Sequence, residues 1–221
     1  MRWIGLLVGV VVGLTLAWGD EVPVEVGSSP MFMVLGGLRL DLGPLNGLLG
    51  PAGYPPPPAW QPVMAFGERT PLGEGLLVGS FQLGGFSEAR GGEAKVAVES
   101  YFWGIFLGTP LGGGEGGAGL ALGGGYLQFT FRARGAGALE ELLQPSLSRP
   151  ELLFLGAIPH LWRGWQVTDW LRLELVIGGL VGFPGWWLDD WRVLAGPRLA
   201  PTGWLIAAGV QLDWAPLLAA P

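Results

Sequence analysis

The sequence predicts an all-β protein: a closed antiparallel transmembrane β-barrel of about eight strands (eight to ten), with short helical segments in its long loops. Three observations carry that expectation. Stretches of about ten residues, the length of a tilted bilayer crossing, recur with apolar and polar positions alternating. The chain is 50% hydrophobic and 14% charged, with a mean hydropathy of +0.44, whereas soluble domains carry about 25% charged residues. Its 221 residues include 41 glycines and 19 prolines, which break helices and make a bundle of transmembrane helices an awkward fit.

The clearest alternation is in residues 126–134. Leu127, Phe129, Phe131 and Ala133 fall on one face of an extended strand, and Gln128, Thr130, Arg132 and Arg134 on the other. An apolar face repeated around the chain is too large to leave in water. Lipid accommodates it, provided that every backbone group is paired in a closed sheet. The expectation is therefore apolar faces toward lipid and polar faces toward a narrow lumen.

Residues 1–19 read as a secretory signal peptide, with Arg2 at the positive start, an apolar centre and Ala17-Trp18-Gly19 at the cleavage spacing. Residues 20–30 form a polar lead-in, 31–214 the barrel and 215–221 a C-terminal extension. The first strand, 31–42, sets Val34, Leu38 and Leu40 against Arg39 and Asp41. Residues 43–58 offer a short helical turn and then the run Pro55 to Pro58. A rigid apolar loop of that length is expected to fold back on the barrel or plug it.

Further strands are expected over 61–68, 76–87 and 95–107. In the last, Lys95 and Glu99 oppose Val96, Val98 and Phe102. A Gly-rich turn at 109–119 leads to the fifth strand, 120–134. The sixth spans 152–165. The seventh, 170–181, places Leu171, Leu173 and Leu175 opposite Arg172 and Glu174. The eighth, 202–214, places Ile206, Val210 and Leu212 opposite Asp213.

The lumen is thus expected to hold Arg39, Asp41, Lys95, Glu99, Arg132, Arg134, Arg172, Glu174 and Asp213, with Glu99 and Glu174 as partners for Arg132 and Arg134. The lipid-facing set is Leu127, Phe129, Phe131, Leu171, Leu173, Leu175, Ile206, Val210 and Leu212. Trp103, Trp170, Trp204 and Trp214 are placed at the membrane interfaces, where tryptophan is enriched.

In this pattern the chain resembles small bacterial outer-membrane β-barrel proteins of the eight-stranded class. The resemblance implies an outer-membrane location and insertion by the barrel-assembly machinery, whose usual signal is a final strand ending in an aromatic, here Trp214. The stretch from Leu45-Asn46 to Gly53-Tyr54-Pro55 also looks like a segment of bacterial envelope proteins.

Little in the sequence points to catalysis. His160 is the single histidine, and there is no cysteine. It reads as an interface or lumen residue, because a nucleophilic triad needs three groups in one geometry. The pairs Glu140-Glu141 and Asp189-Asp190 read as solvated faces or caps, without the spaced ligands of a metal site. The glycines of 112–125 lack the Lys-Ser/Thr ending of a phosphate loop. A net charge of -6 argues against nucleic acid as a partner. No catalytic residue, metal or cofactor is expected, and membrane lipids are the expected surroundings. The predicted role is structural, anchoring or interacting, with a lumen largely filled by side chains. A passive, porin-like pore is the alternative; a soluble ligand-binding barrel or a lipid-modifying enzyme stands further off.

Overall fold

A computed structural model describes residues 29–73, 75–92, 94–111, 115–132, 149–189 and 192–213. The predicted signal peptide, Arg134, Glu140-Glu141, Asp190 and Trp214 lie outside the described residues. The elements are β1 (Met31–Leu40), α1 (Gly43–Leu49), β2 (Trp60–Pro71), β3 (Leu77–Gly91), β4 (Ala94–Leu111), β5 (Gly116–Arg132), β6 (Glu151–Gln166), β7 (Leu171–Gly182), β8 (Trp186–Asp189), β9 (Arg192–Leu194) and β10 (Thr202–Leu212).

Neighbouring strands pair antiparallel in the order β5-β4-β3-β2-β1-β10-β7-β6, and β5 pairs with β6 to close the ring. Eight strands therefore form a barrel with no free edge, as the sequence predicts. The small hairpin β8–β9 pairs with the start of β6 and prolongs the wall beyond β7.

The connections are unequal. At one end, called inner here, the turns 72–76, 112–115 and 167–170 are short. At the other, outer end the connections 41–59, 133–150 and 183–201 are long, and only the β3–β4 turn, with Gly92 at φ 61°, is tight. Short inner turns with long outer loops are the habit of outer-membrane barrels.

Side chains point alternately in and out along the strands, and the inward set is the core. Phe32, Phe81, Phe102, Phe106, Phe129, Leu38, Leu83, Leu127 and Ile158 are all but inaccessible. The first connection closes the outer mouth. Leu42, Leu45 and Leu49 join the core, and the Tyr54 ring sits edge-on to Phe131 at 5.4 Å. Pro44 in the first turn suits the start of α1. The expected folding-back of this loop is what the structure shows.

Glycine makes room in so narrow a lumen. A Cβ on Gly117 would lie 2.1 Å from Cζ2 of Trp162, and one on Gly119 would lie 2.3 Å from Cε2 of Phe106. The stretch 116–119, expected as turn, is therefore strand: its glycines seat the rings of the facing strands.

Candidate functional site: a filled lumen inside an apolar belt

The lumen is lined mostly by apolar side chains and, among the described residues, holds few charges. Arg69 of β2 and Glu174 of β7 form a bidentate pair, Nη1 to Oε2 at 3.0 Å and Nη2 to Oε1 at 2.7 Å, with side chains 4% and 0% exposed. The Arg69 guanidinium also lies 4.3 Å from the Phe32 ring centre, 4.4 Å from Trp162 and 5.4 Å from Phe106. Two fixed hydrogen bonds and three π faces offset much of its loss of water, while its buried Nε has no hydrogen-bond partner among the described residues. Arg69 belongs to the inner half of β2, so this cluster closes the lumen below the aromatic core.

Nearer the outer end, Ser100 donates to Oε1 of Gln61 at 2.8 Å, also buried. His160 is buried between Phe81 and Phe106, each ring centre 5.4 Å away, with Trp162 at 5.9 Å. Its Nδ1 is 3.0 Å from the carbonyl of Ile158. The expected lumen placement of His160 agrees with this. Among the described residues no serine or carboxylate is hydrogen-bonded to it; Ser100 bonds Gln61 and Glu174 bonds Arg69. Among the described residues no group of three His, Cys, Asp or Glu could hold a metal ion.

The expected lumen charges are mostly elsewhere. Glu174 and Arg172 of β7 do face inward; Arg172 Nε donates to Oε1 of Gln166 at 3.2 Å near the inner rim. Glu174, however, pairs with Arg69 and not with Arg132. Asp213 is half-buried at the inner end, its backbone N–H on Trp170 O at 2.9 Å. Five others are corrected. Arg39, Asp41, Lys95, Glu99 and Arg132 have the outward parity of their strands, because the intervening Leu38, Leu40, Val96, Val98 and Phe131 point into the core. Lys95 pairs with Glu88 and Arg90 joins it at 2.7 Å, all on the outer surface.

The lipid-facing set divides in the same way. Leu127 and Phe129 are 1% and 0% exposed, and Phe131 packs against the same core. All three face inward, the reverse of the expectation. The reason lies in where the strands end. β3, β4 and β5 run past β1 and β2 at the outer end, so the clean alternation of 126–132 belongs to wall standing beyond the apolar belt. There an apolar core and a wet exterior apply, as in a soluble barrel. Trp187 covers that core, its ring 5.6 Å from Phe129 and its Nε1 bonded to Pro197 O at 2.7 Å.

On β7 and β10 the expected orientation is the observed one. Leu171, Leu173, Leu175, Ile206, Val210 and Leu212 point outward, Leu173 and Ile206 being exposed and the others half-buried.

These outward residues belong to a belt. Met31, Met33 and Leu35 on β1, Met64 on β2, Ile105 and Leu107 on β4, Leu155 and Leu161 on β6, and Ile177 and Val181 on β7 are all exposed. Such a surface around a closed barrel suits hydrocarbon, not water. Aromatics edge it. Trp103, 60% exposed, separates Ile105 and Leu107 from the polar positions Glu99 and Lys95 above it on β4. Trp204, 65% exposed, and Trp60 stand in one row across the outer ends of β10, β1 and β2. Trp165 stands at the inner end, with the half-buried Trp170 in the following turn.

This is an eight-stranded barrel of the outer-membrane type. Its shape is similar to that of Ail, the attachment invasion locus protein of Yersinia pestis, solved with the heparin analogue sucrose octasulfate: TM-score 0.49 and 7% identity, over 84% of this chain and 99% of that one. Neisserial surface protein A is similar with TM-score 0.47 and 10% identity, over 83% and 96% of the two chains. The outer membrane protein OprG of Pseudomonas aeruginosa gives 0.41 and 9%, over 84% and 96%. No family model matches the sequence, and no curated protein does.

The residues that sequence reasoning passed over are Arg69 and Gln61. Arg69 stood just past the expected end of the second strand. Gln61 was its expected start, with no signal to tell the inward face from the outward one.

Proposed function

We propose that this protein is a resident of the bacterial outer membrane with a structural, anchoring or interaction role, and that it neither conducts solutes nor catalyses a reaction. The observation that carries the reading is the pairing of two apolar surfaces on one wall: a filled core within and an exposed belt without. A soluble barrel has no use for the outer surface, and an open pore has no place for the inner one. The hairpin β8–β9 and the outer ends of β3–β6 carry the wall beyond the belt, where Glu88, Arg90 and Lys95 stand on a surface that also exposes Phe86, Trp186 and Val193, and that is where an anchored protein would meet its partners. Export by cleavage of the leader and insertion by the barrel-assembly machinery belong to the same reading.

The test is extraction and conductance together. The protein should fractionate with the outer membrane, need detergent for extraction and migrate differently on gels before and after boiling. Planar bilayers containing the folded protein should show no steady channel steps. Protein that stays soluble without detergent would overturn the membrane placement; steady conductance would favour the pore instead.

A further inference from the structure

A groove of about 990 Å³ runs obliquely down the outside of the wall. It begins at Arg39 and Asp41 and passes Trp204, Gly179, Ile177 and Leu161. Its path follows the strand pairing, since Arg39 faces Trp204, Trp204 faces Gly179, and Ile177 faces Leu161. Its upper limit is the outer end of β1. Its lower limit is Ala118, near the inner end of β5. The groove therefore descends through the apolar belt from the interface inward.

Its floor lies low at Gly179, which carries no side chain; a Cβ at that position would lie 4.0 Å from Cε3 of Trp204. On the other side of Arg39, Trp60 lies over Gly37, its Cε3 3.0 Å from where a Cβ would be. Two indoles thus lie against the wall on either side of one exposed guanidinium.

The polar groups at the top are ordered. Arg39 has the outward parity of β1, and Asp41, exposed just past its end, continues the ladder through its N–H to Thr202 O at 2.8 Å; the two stand roughly 7 Å apart at the rise of an extended strand. Arg39 is the nearer to the apolar belt. Among the described residues it has neither an ion-pair nor a hydrogen-bond partner. Asp41 Oδ1 accepts the N–H of Gly43 at 3.0 Å, which fixes the carboxylate; among the described residues its second oxygen accepts no hydrogen bond.

We propose that this groove binds a phospholipid whose headgroup is a phosphate ester bearing an ammonium group. An acyl chain lies along Gly179, Ile177 and Leu161, the phosphate meets Arg39, and the ammonium meets Asp41. The inference rests on the membrane reading above. Apolar chain, phosphate and ammonium follow one another in such a lipid in the same order as apolar groove, guanidinium and carboxylate on the wall. A guanidinium fork matches phosphate oxygens, and flanking indoles favour that depth. A purely anionic headgroup would meet the same Arg39 but would gain nothing from the Asp41 carboxylate.

The full chain, folded in mild detergent, would be titrated with phosphatidylethanolamine or phosphatidylglycerol and observed intact by native mass spectrometry. Water-soluble phosphoethanolamine and inorganic phosphate serve as competitors. One phosphatidylethanolamine per barrel is expected, preferred about tenfold over phosphatidylglycerol, the scale of one charge-assisted contact. Asp41→Asn should abolish the preference. Arg39→Gln should weaken both lipids about tenfold. The water-soluble competitors should displace neither lipid at equal concentration.

Unchanged retention in both variants overturns the site, and so does displacement by inorganic phosphate, which would mark a simple anion site. Both side chains are exposed, and heat-modifiable migration of each variant confirms its barrel. A wild type that folds in detergent but retains no lipid overturns this site alone. A wild type soluble without detergent overturns the membrane reading beneath it.

Discussion

Replacing Glu174 by Leu would leave the Arg69 guanidinium enclosed by Phe32, Trp162 and Phe106 without its two carboxylate bonds. Both side chains are almost fully buried, so water cannot stand in for the lost partner. Removing one member of such a pair costs about 3–5 kcal/mol. With a urea slope of about 2 kcal/mol/M, the unfolding midpoint should fall by roughly 2 M. Replacing both residues, as Arg69→Leu with Glu174→Leu, removes the stranded charge and should recover most of that loss, since apolar substitution of a whole buried pair is often neutral. The assay is urea unfolding in detergent micelles or vesicles, read by the heat-modifiable band, as a double-mutant cycle. Two results would refute the reasoning: a Glu174→Leu midpoint within about 0.5 M of wild type, or a double variant that loses the sum of the two single losses. Either would mean that the pair is not enclosed as the geometry has it.

The opposite faces of the wall should respond differently to truncation. Phe129→Ala, inside against Trp187, should cost about 3–5 kcal/mol, whereas Leu173→Ala or Ile206→Ala, facing out, should cost less than about 1.5 kcal/mol in the same unfolding assay; equal losses would contradict the orientation of β5. Gly119→Leu drives a side chain into the Phe106 ring and should block folding, leaving no heat-modifiable species, and Gly119→Leu with Phe106→Ala should restore some. Deleting residues 43–58 should leave planar bilayers without conductance, because the lumen below the loop is filled around Arg69 and Phe106. On the outer surface the Glu88 carboxyl is held below its ordinary range, first by the hydrogen bond from Lys95 and then by that from Arg90. A depressed folded-state value means that its small stabilisation is present above the ordinary carboxylate range and is lost as pH falls through the depressed one. Carboxyl NMR titration should show Lys95→Ala moving the Glu88 midpoint up.

The closed barrel was legible in composition and period because both are properties of single strands. Eight apolar, alternating stretches, few charges and unequal loops are enough to require a closed sheet in a low-dielectric surround. The faces of β7 and β10 were legible too, since Arg172 and Glu174 of β7 and Gln211 of β10 are inward and their neighbours are large and apolar. On β1, β4 and β5 the same rule inverted. A period of two divides a strand into two faces but does not say which is inside. In this chain both environments are apolar, the core and the belt, so hydrophobicity does not separate them. Charge does not separate them either, because Lys95, Glu99 and Arg132 sit where the wall leaves the belt and water is outside. Only the ring of pairings decides these points. It fixes how far each strand reaches past its neighbours, and so whether Phe129 meets a core or a lipid. It also brings Arg69 to Glu174 across 105 residues, a pairing that no local pattern encodes, and it aligns Arg39 between Trp60 and Trp204.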